Sequence, residues 1–281
     1  MKRIVITASL AIILAGQVLA QGLYIRAGGV YGMPVGTASI GTKYIYTELS
    51  NSTINTRDVV KGTYGAGTNF SVAVGYKFNQ NFMFDLTGQY LIGNKFETGS
   101  FNNYTTSKTI DKYISQAKGL FINPAFIFSA GFGKAAPYGK FGLVAGSPRI
   151  TENESYYYDG DGIMTYDKTW VYKKGMALGF QAAIGMNWRI TDKIDIYTEV
   201  NIVNMSWYAQ KGELTKYMSN GTDYLPNLPV NQKLFDFVSS VDLNAIQDPS
   251  KPAQQLRVSY PFSTVSAQAG IRFVLFQKKS E

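Results

Sequence analysis

Four charged side chains lie inside strongly alternating, strand-like segments of the sequence: Arg26, Asp85, Glu199 and Arg272. If those segments close into a barrel, all four side chains point into its interior. The first, seventh and eighth segments then bring Arg26, Glu199 and Arg272 together, with Asp85 reaching across. Charges in a confined interior must be paired or solvated. The four residues therefore predict a structural ion-pair plug, with a gate on a solute pathway and a catalytic acid–base pair as the alternatives.

The residues that usually perform catalysis in exported hydrolases are missing, because the sequence has no histidine and no cysteine. General-base catalysis and an activated nucleophile most often depend on one of these two side chains. A pair of carboxylates remains conceivable, but nothing else in the sequence supports it. We therefore expect no enzymatic activity and no cofactor.

A second acidic group, Asp159, Asp161 and Asp167, lies in and after a glycine-rich stretch. Clustered carboxylate oxygens are calcium ligands, but the bidentate glutamate at the required spacing is missing. Asp-Gly is also a common pair in turns, so we favour a turn and predict no metal site. The preceding run, Tyr156-Tyr157-Tyr158, predicts an adhesive external loop that binds a partner or a glycan, or a strand extension lying on lipid head groups.

The elements that must position these residues begin after an export signal. Lys2 and Arg3 precede an apolar run of about twelve residues, which is too short to span a bilayer as a helix. A small-residue cleavage site, Val18-Leu19-Ala20, follows it. Residues 1–20 are thus predicted to be a cleaved signal peptide and residues 21–281 a single domain. No later stretch is apolar enough for a transmembrane helix.

Eight segments of period-two alternation follow, each of about nine to fifteen residues, the length that a tilted strand needs to cross a bilayer. They cover residues 23–33, 68–78, 82–92, 119–129, 138–146, 175–189, 194–204 and 265–276. Their connections alternate between long and short, which is typical of membrane barrels with long external loops and short periplasmic turns. The pattern predicts an all-β fold, a closed antiparallel transmembrane β-barrel of eight strands. Residues 43–47 and 169–174 make ten strands the alternative.

The two faces of these segments are sorted by polarity. One face carries residues such as Phe70 and Val72 and has no charge at any position that we assign to it. The other carries polar residues such as Ser71 and Gln268 together with many glycines and alanines. A Lys or Arg facing lipid at mid-membrane costs about 2–4 kcal/mol, which explains why the apolar face lacks charge. We predict a lipid-facing exterior and a narrow, polar interior.

In these features the sequence resembles the small outer-membrane barrels of Gram-negative bacteria, the OmpA-like, OmpX-like and OmpW-like families, over nearly the whole mature chain. The resemblance includes the last strand, residues 266–276, whose terminal Phe276 looks like the signal read by the barrel-insertion machinery. It implies a location in the cell outer membrane with both termini in the periplasm, and a structural or surface-interaction role. The alternative is a narrow porin-like or OmpW-like channel for small or apolar solutes, and an outer-membrane enzyme is a remote third.

Two further features concern the wall and the mouth of the predicted barrel. Pro124 lies inside the fourth segment, where it removes a ladder hydrogen bond. OmpW-like barrels are thought to release apolar solutes through such an interruption, whereas a bulge or a strand end is the simpler explanation. In the longest connection, a nearly helical apolar spacing after Asn231 predicts a short helix that covers the mouth. The apolar residues with this spacing are Leu234, Phe237, Val238, Val241 and Ile246.

The net charge of +8 falls to about +6 once Lys2 and Arg3 are removed. An exported chain does not normally meet nucleic acid, so attraction to anionic lipid head groups is the better explanation of this charge. The predicted partners are therefore outer-membrane lipid and lipopolysaccharide, the barrel-insertion machinery and an external ligand bound through the long loops.

Overall fold

The computed structural model describes residues 22–277 except 36–37, 50–51, 105–107, 132, 243, 245 and 247, so the predicted signal peptide, residues 1–20, lies outside the described residues. The strands in chain order are β1 (Gly22–Pro34), β2 (Ser39–Leu49), β3 (Ser52–Lys61), β4 (Gly67–Lys77), β5 (Phe82–Gly93), β6 (Phe96–Tyr104), β7 (Lys108–Ser129), β8 (Ala135–Asp159), β9 (Ile163–Lys173), β10 (Ala177–Arg189), β11 (Ile194–Tyr208), β12 (Lys211–Ser219), β13 (Thr222–Asp223), β14 (Leu234–Val238), β15 (Ala253–Leu256), β16 (Ser259–Pro261) and β17 (Thr264–Gln277). The helical segments are a 3-10 turn at Leu225–Asn227 and one α-helical turn, α1, at Val230–Lys233. No helix in the described ranges is long and apolar enough to cross a membrane.

Eight of these strands pair side by side in a closed antiparallel ring. The order around the ring is β1, β4, β5, β7, β8, β10, β11 and β17, and β17 pairs again with β1. Gly22 at the start of β1 is therefore paired both with Lys77 on β4 and with Gln277 on β17. Closure satisfies the backbone hydrogen bonds that a sheet edge would leave exposed.

Side chains on the ring strands alternate between the two faces, as a pleated strand requires. The outward positions are apolar and exposed, with Leu120 65% and Ile184 72% exposed. The inward positions carry polar side chains that are buried, such as Ser71, Asp85 and Asn123. The ring therefore has the opposite polarity to a water-soluble barrel, in which the apolar face would be buried.

Short turns close one end of the ring, which we call the turn end. Between β4 and β5, the side-chain oxygen of Asn79 accepts hydrogen bonds from the backbone N–H groups of Asn81 and Phe82 at 2.9 and 2.8 Å. Between β10 and β11, the hydroxyl of Thr191 accepts the corresponding bonds from Lys193 and Ile194. Asn and Thr are frequent turn residues because their short polar side chains bond the backbone locally.

At the opposite end, the loop end, the long connections are themselves built of strands. The strand β7 leaves its ring partner β5 at Lys118 and β8 leaves β10 at Gly146, but the two remain paired as far as Lys108 and Asp159. The sheet continues on one side through β9, β12, β14 and β15, and on the other side through β6, β2 and β3. The described chain thus has 17 strands in all rather than eight or ten; eight of them form the ring, and the others build the loop end. Residues 43–47 and 169–174 fall largely within β2 and β9, outside the ring.

The predicted helix over the barrel mouth is also wrong. Among the described residues from Val230 onward in this connection, only Val230–Lys233 is helical, and Leu234–Val238 is the strand β14, paired with β12 and β15. Cross-strand packing outweighs the helical spacing, because alternation places Phe235 and Phe237 on one side of β14. The ring of Phe235 stacks on Trp170 with 4.9 Å between centroids, and Phe237 is buried.

Candidate functional site

The interior of the ring near the turn end is filled by a network of charges centred on Arg26 of β1. Its Nη1 donates a hydrogen bond to Oδ2 of Asp85 on β5 at 2.7 Å, and its Nη2 lies 3.2 Å from Oε2 of Glu199 on β11. All three side chains are at least 95% buried. The structure thus brings three of the four predicted residues into direct contact across the barrel.

Glu199 is also held by two residues of β8. Lys140 Nζ donates to Oε1 of Glu199 at 2.7 Å, and the hydroxyl of Tyr138 donates to Oε2 at 3.0 Å. The same hydroxyl accepts a hydrogen bond from Arg26 Nη2 at 3.0 Å. Alternation along β8 is sufficient to put Lys140 on the inward face, but its partner depends on how β8 and β11 are staggered around the ring, which alternation does not determine.

Among the described residues, Arg272 forms no hydrogen bond or ion pair with Asp85 or Glu199, contrary to the expected four-residue cluster. It bonds the carboxylate of Asp195, its cross-strand partner on β11, through Nε at 2.6 Å and also through Nη2. Arg26 and Arg272 are themselves cross-strand partners on β1 and β17, so two like charges meet there. Directly opposed like charges repel, and each arginine is bonded to its own carboxylates. Asp195 was not predicted as a site residue. It lies four residues before Glu199 on the same strand, so alternation places both side chains on the inward face.

Tyrosine rings connect these two groups of charges. The guanidinium of Arg26 lies over the ring of Tyr197 at 3.9 Å, and that of Arg272 lies over the ring of Tyr24 at 5.3 Å. The hydroxyl of Tyr24 donates to Asp85, so Tyr24 joins Arg272 to the network around Arg26. We call this set the charged layer: Tyr24, Arg26, Asp85, Tyr138, Lys140, Asp195, Tyr197, Glu199 and Arg272.

Inward glycines give the tyrosine rings of the charged layer their space. A Cβ on Gly75 would lie 2.1 Å from the ring of Tyr24, and one on Gly185 would lie 2.4 Å from the ring of Tyr138. Such distances are shorter than any real contact, so a larger residue at either position would displace a ring. The glycines on the inward face are therefore part of the packing around the charges.

Charge within this layer is balanced. Arg26, Lys140 and Arg272 face three carboxylates, those of Asp85, Asp195 and Glu199. Removing one partner of a buried ion pair leaves an uncompensated charge, which is strongly destabilising. The arrangement can therefore block the interior with paired charge.

Polar side chains occupy the middle of the interior, between the charged layer and the loop end. The amide nitrogen of Gln268 donates to the hydroxyls of Ser71 and Tyr197, both at 2.9 Å. Among the residues that the structure describes, neither amide atom of Gln181 has a hydrogen-bond partner, nor does the side-chain oxygen of Asn123 or Asn201. Buried polar atoms of this kind are normally bonded to ordered water. This section of the barrel therefore has the chemistry of a hydrated compartment.

Aromatic side chains close the loop end of the barrel. Segments that follow β3 and β16 turn inward, and the N–H of Tyr64 donates to the carbonyl of Pro261 at 2.9 Å. Phe262 is 1% exposed, Trp207 is fully buried, and their rings meet edge to face at 6.2 Å. We call this set the aromatic plug: Tyr64, Tyr172, Trp207, Phe237, Tyr260 and Phe262.

A carboxylate, Glu152, borders the aromatic plug beyond the ring. It accepts hydrogen bonds from the hydroxyls of Ser115, Thr98 and Tyr172 at 3.0, 3.3 and 3.3 Å. No cation forms an ion pair with Glu152 among the residues that the structure describes. Burial raises the pKa of Glu152 above the usual range of a carboxyl group, and the hydroxyl donors oppose that shift.

Pro124, for which the sequence left open an interruption of the wall, a bulge or a strand end, lies on β7 opposite Leu86. The pairing of β7 with β8 skips Asn123 and Pro124 and then resumes in the same register at Ala125. The strands stay in close contact there, because a Cβ on Gly142 of β8 would lie 2.3 Å from the carbonyl oxygen of Pro124. The ladder is thus weakened at Pro124, while the wall remains continuous.

The acidic stretch around Asp159 forms the tip of the β8–β9 hairpin, with Asp161 in the turn itself. Asp167 lies farther along β9, opposite Ser155. The described residues contain no group of three or more acidic, histidine or cysteine side chains arranged to hold a metal ion. Near the tip, the rings of Tyr156 and Tyr166 stack at 4.6 Å.

Comparison with known proteins gives weak similarities. No protein-family model matches the sequence, and no curated protein is similar to it. Among solved structures, the Acinetobacter baumannii protein CarO is 12% identical, over 92% of this chain and 99% of CarO, with a TM-score of 0.30. A. baumannii CarO2 is 9% identical over 89% of this chain and 99% of its own, with a TM-score of 0.29. Similarity at this level establishes neither a family nor a function.

Proposed function

We propose that the protein is an integral outer-membrane β-barrel of the OmpA/OmpX-like type, with the ring of eight strands crossing the membrane. The observation that supports insertion is the inverted polarity of the ring, which buries charge and exposes Phe, Leu, Ile and Val side chains. In water, such an exterior would be an apolar surface far larger than soluble monomers expose. Exposed aromatic residues near both ends of the ring strands, such as Tyr31 and Trp188, suit the two membrane interfaces.

The sealed interior supports a structural or surface-interaction role, and it is the observation on which the proposal depends. The charged layer bridges the barrel through Arg26, and the aromatic plug fills the opposite mouth. A solute would have to break buried ion pairs and also displace buried rings such as Phe262. The proposal assigns the protein no catalytic step.

The surface that would interact with partners is the strand-built extension at the loop end. It reaches the hairpin tip at Asp159 and presents stacked tyrosines such as Tyr156 and Tyr166. Loop-end strands lie outside the cell in the proposed orientation, with both termini in the periplasm. An external ligand would then meet β8, β9 and β12 first.

Assembly by the barrel-insertion machinery is part of the proposal. The last strand, β17, closes the ring against β1 and ends in alternating apolar residues that include Phe276, which is 72% exposed. An exposed aromatic residue at the end of the closing strand is accessible to a receptor before the ring closes. The lipid partners in this membrane are phospholipid and lipopolysaccharide.

A narrow conduit is the second candidate, and the unpartnered polar atoms in the middle section favour it. Gln181, Asn123 and Asn201 indicate water inside the barrel. That compartment lies between the charged layer and the aromatic plug, so conduction would require both to open. The conduit hypothesis therefore needs a conformational change, whereas the sealed barrel does not.

Single-channel recording tests the two candidates directly. The refolded mature chain is inserted into a planar bilayer beside an Asp85→Ala/Glu199→Ala variant, and folding is confirmed by a heat-sensitive gel shift. We expect the wild-type chain to show the gel shift and to remain electrically silent. Stable openings that the variant enlarges would instead support the conduit, and a chain that folds only in water would contradict membrane insertion.

A further inference from the structure

Two cations, Lys118 and Arg149, lie side by side on the outer surface where the β7–β8 hairpin leaves the ring. They are cross-strand partners, so both side chains project from the same face, and both are exposed. Leu120, which is 65% exposed, lies two residues from Lys118 toward the turn end, about 7 Å along the strand. The two cations therefore mark the loop-end border of the apolar exterior.

No carboxylate forms an ion pair with Lys118 or Arg149 in the part of the chain that the structure describes. A nearby cation, Lys173, follows Tyr172, which is the β9 partner of Ile150. Lys173 forms an ion pair with Glu213. On β5, β7 and β8, the outward neighbours of the pair are uncharged: Ile92, Gln116, Leu120, Ser147 and Thr151. Directly opposed like charges destabilise a strand pair, so a bound anion would relieve the repulsion between Lys118 and Arg149.

We propose that Lys118 and Arg149 bind the phosphate group of a lipid headgroup at the loop-end surface of the membrane. The proposal rests on the proposed function, because it requires the apolar exterior to lie in lipid. The stem of Lys118 can follow the apolar surface while its ammonium group reaches the headgroup. The planar guanidinium of Arg149 suits bidentate bonding to phosphate.

The lipid class that fits this site is a phosphorylated glycolipid of the outer leaflet. Its phosphate would lie between Lys118 and Arg149, with Lys95, exposed just beyond β5, as a third cation. Its acyl chains would cover Leu120 and Leu143, which are 65% and 53% exposed below the two cations. Free phosphate would use the cations but not these apolar side chains, so the two sources can be separated.

The turn end supplies a matched control. Lys134 and Arg189 are also one lysine and one arginine, both are exposed, and the N–H of Arg189 donates to the carbonyl of Lys134 at 2.8 Å. Neutralising them removes the same charge from the protein as neutralising Lys118 and Arg149. The control therefore separates a site from a general effect of net charge.

To test the proposal, the full mature chain is refolded in zwitterionic detergent micelles, and bisphosphorylated lipid A is titrated into it. Native mass spectrometry then counts the bound lipid molecules. We expect the Lys118→Gln/Arg149→Gln variant to bind about thirtyfold more weakly than wild type, as the loss of two cations at a membrane surface implies. Lipid A that lacks its phosphates should bind the wild-type chain as weakly as phosphorylated lipid A binds the Lys118→Gln/Arg149→Gln variant. The Lys134→Gln/Arg189→Gln variant should bind like the wild type.

Equal binding by wild type and the Lys118→Gln/Arg149→Gln variant, or an equal loss in the control variant, would overturn the proposal. Displacement of the lipid by inorganic phosphate at the same concentration would also overturn it, because the site would then recognise free phosphate. Insertion is measured separately, by the gel shift after reconstitution into phosphatidylcholine vesicles. A wild-type chain that failed to insert there would contradict the proposed function, whatever the lipid titration showed.

Discussion

The charged layer and the aromatic plug close the same barrel by different physical means. In the charged layer, Arg26, Asp85 and Glu199 are fixed by hydrogen bonds of defined direction, and each depends on a partner of opposite charge. In the plug, Trp207 and Phe262 are held by contact area and shape. The charged layer therefore stays closed only while each charge keeps its partner of opposite sign. The aromatic plug stays closed only while its rings fill the space at the mouth of the barrel. Substitutions in the charged layer and in the aromatic plug should therefore affect stability and permeability differently.

The largest expected effect is that of Arg26→Ala. The variant leaves Asp85 without its arginine and reduces the cations that face Glu199, and breaking a buried ion pair in this way costs about 3–5 kcal/mol. Urea unfolding of the refolded barrel in micelles measures this loss. Arg26→Lys, which keeps the charge, should lose less, and a loss below about 1 kcal/mol for Arg26→Ala would mean that water replaces the ion pairs.

Removal of a plug ring should cost somewhat less, and it should change permeability once the charged layer is also weakened. Phe262→Ala is expected to lower the free energy of unfolding by about 3 kcal/mol, because it leaves a cavity among buried rings. Added to the Asp85→Ala/Glu199→Ala variant, it should also give brief openings in planar bilayers that this variant alone does not show. Phe180→Ala is the control, because Phe180 is 59% exposed on the outward face and leaves no interior cavity. Equal effects of the two variants would show that the plug does not seal the mouth.

A smaller contrast is expected in the middle section. Gln268→Met removes two hydrogen bonds, to Ser71 and Tyr197, and should cost about 2 kcal/mol. Gln181→Met removes no bond to the protein and should change the free energy of unfolding by less than about 1 kcal/mol. Both are measured by urea unfolding. If the order were reversed, the water bonded to Gln181 would contribute more to stability than the direct bonds of Gln268.

The smallest effect concerns Glu152 and depends on pH. Because burial raises its pKa, the folded chain keeps this proton at pH values where the unfolded chain has lost it. The contribution of Glu152 to stability is therefore greatest below the usual carboxyl pKa and falls as pH rises through the raised value. Glu152→Gln should therefore gain stability relative to wild type as pH rises above the usual carboxyl pKa of about 4. A constant difference over those pH values would contradict the raised pKa.

Alternation alone locates the strands of the ring and their two faces. The segments at 23–33 and 82–92 lie within β1 and β5, because an exposed apolar face and a buried polar face impose a strict period of two. The partners inside the barrel were harder to predict. Lys140 and Asp195 bond Glu199 and Arg272 only because of the stagger between strands, which a single sequence does not encode in a readable way.

The loop end was predicted least well. Residues Leu234–Val238 have a helical spacing of apolar side chains but form β14, because β12 and β15 supply partners on both sides. Their environment is decided by residues far away in the sequence, such as Trp170, and local periodicity carries no information about them. The aromatic plug was missed for the same reason, since Tyr64 and Phe262 come from short segments between strands.

The pairing of β1 with β17 has a consequence for the order of assembly. Gly22 meets Gln277, and Arg26 meets Glu199 across 173 residues of chain, so these contacts are among the most non-local that the protein makes. High contact order slows folding, because the entropy of closing a long loop is lost before any contact forms. Arg26 can meet Asp85 once β5 is available, but it meets Glu199 only after β11, and Arg272, the partner of Asp195, comes last with β17. The charged layer therefore becomes neutral only when the last strand supplies its third cation.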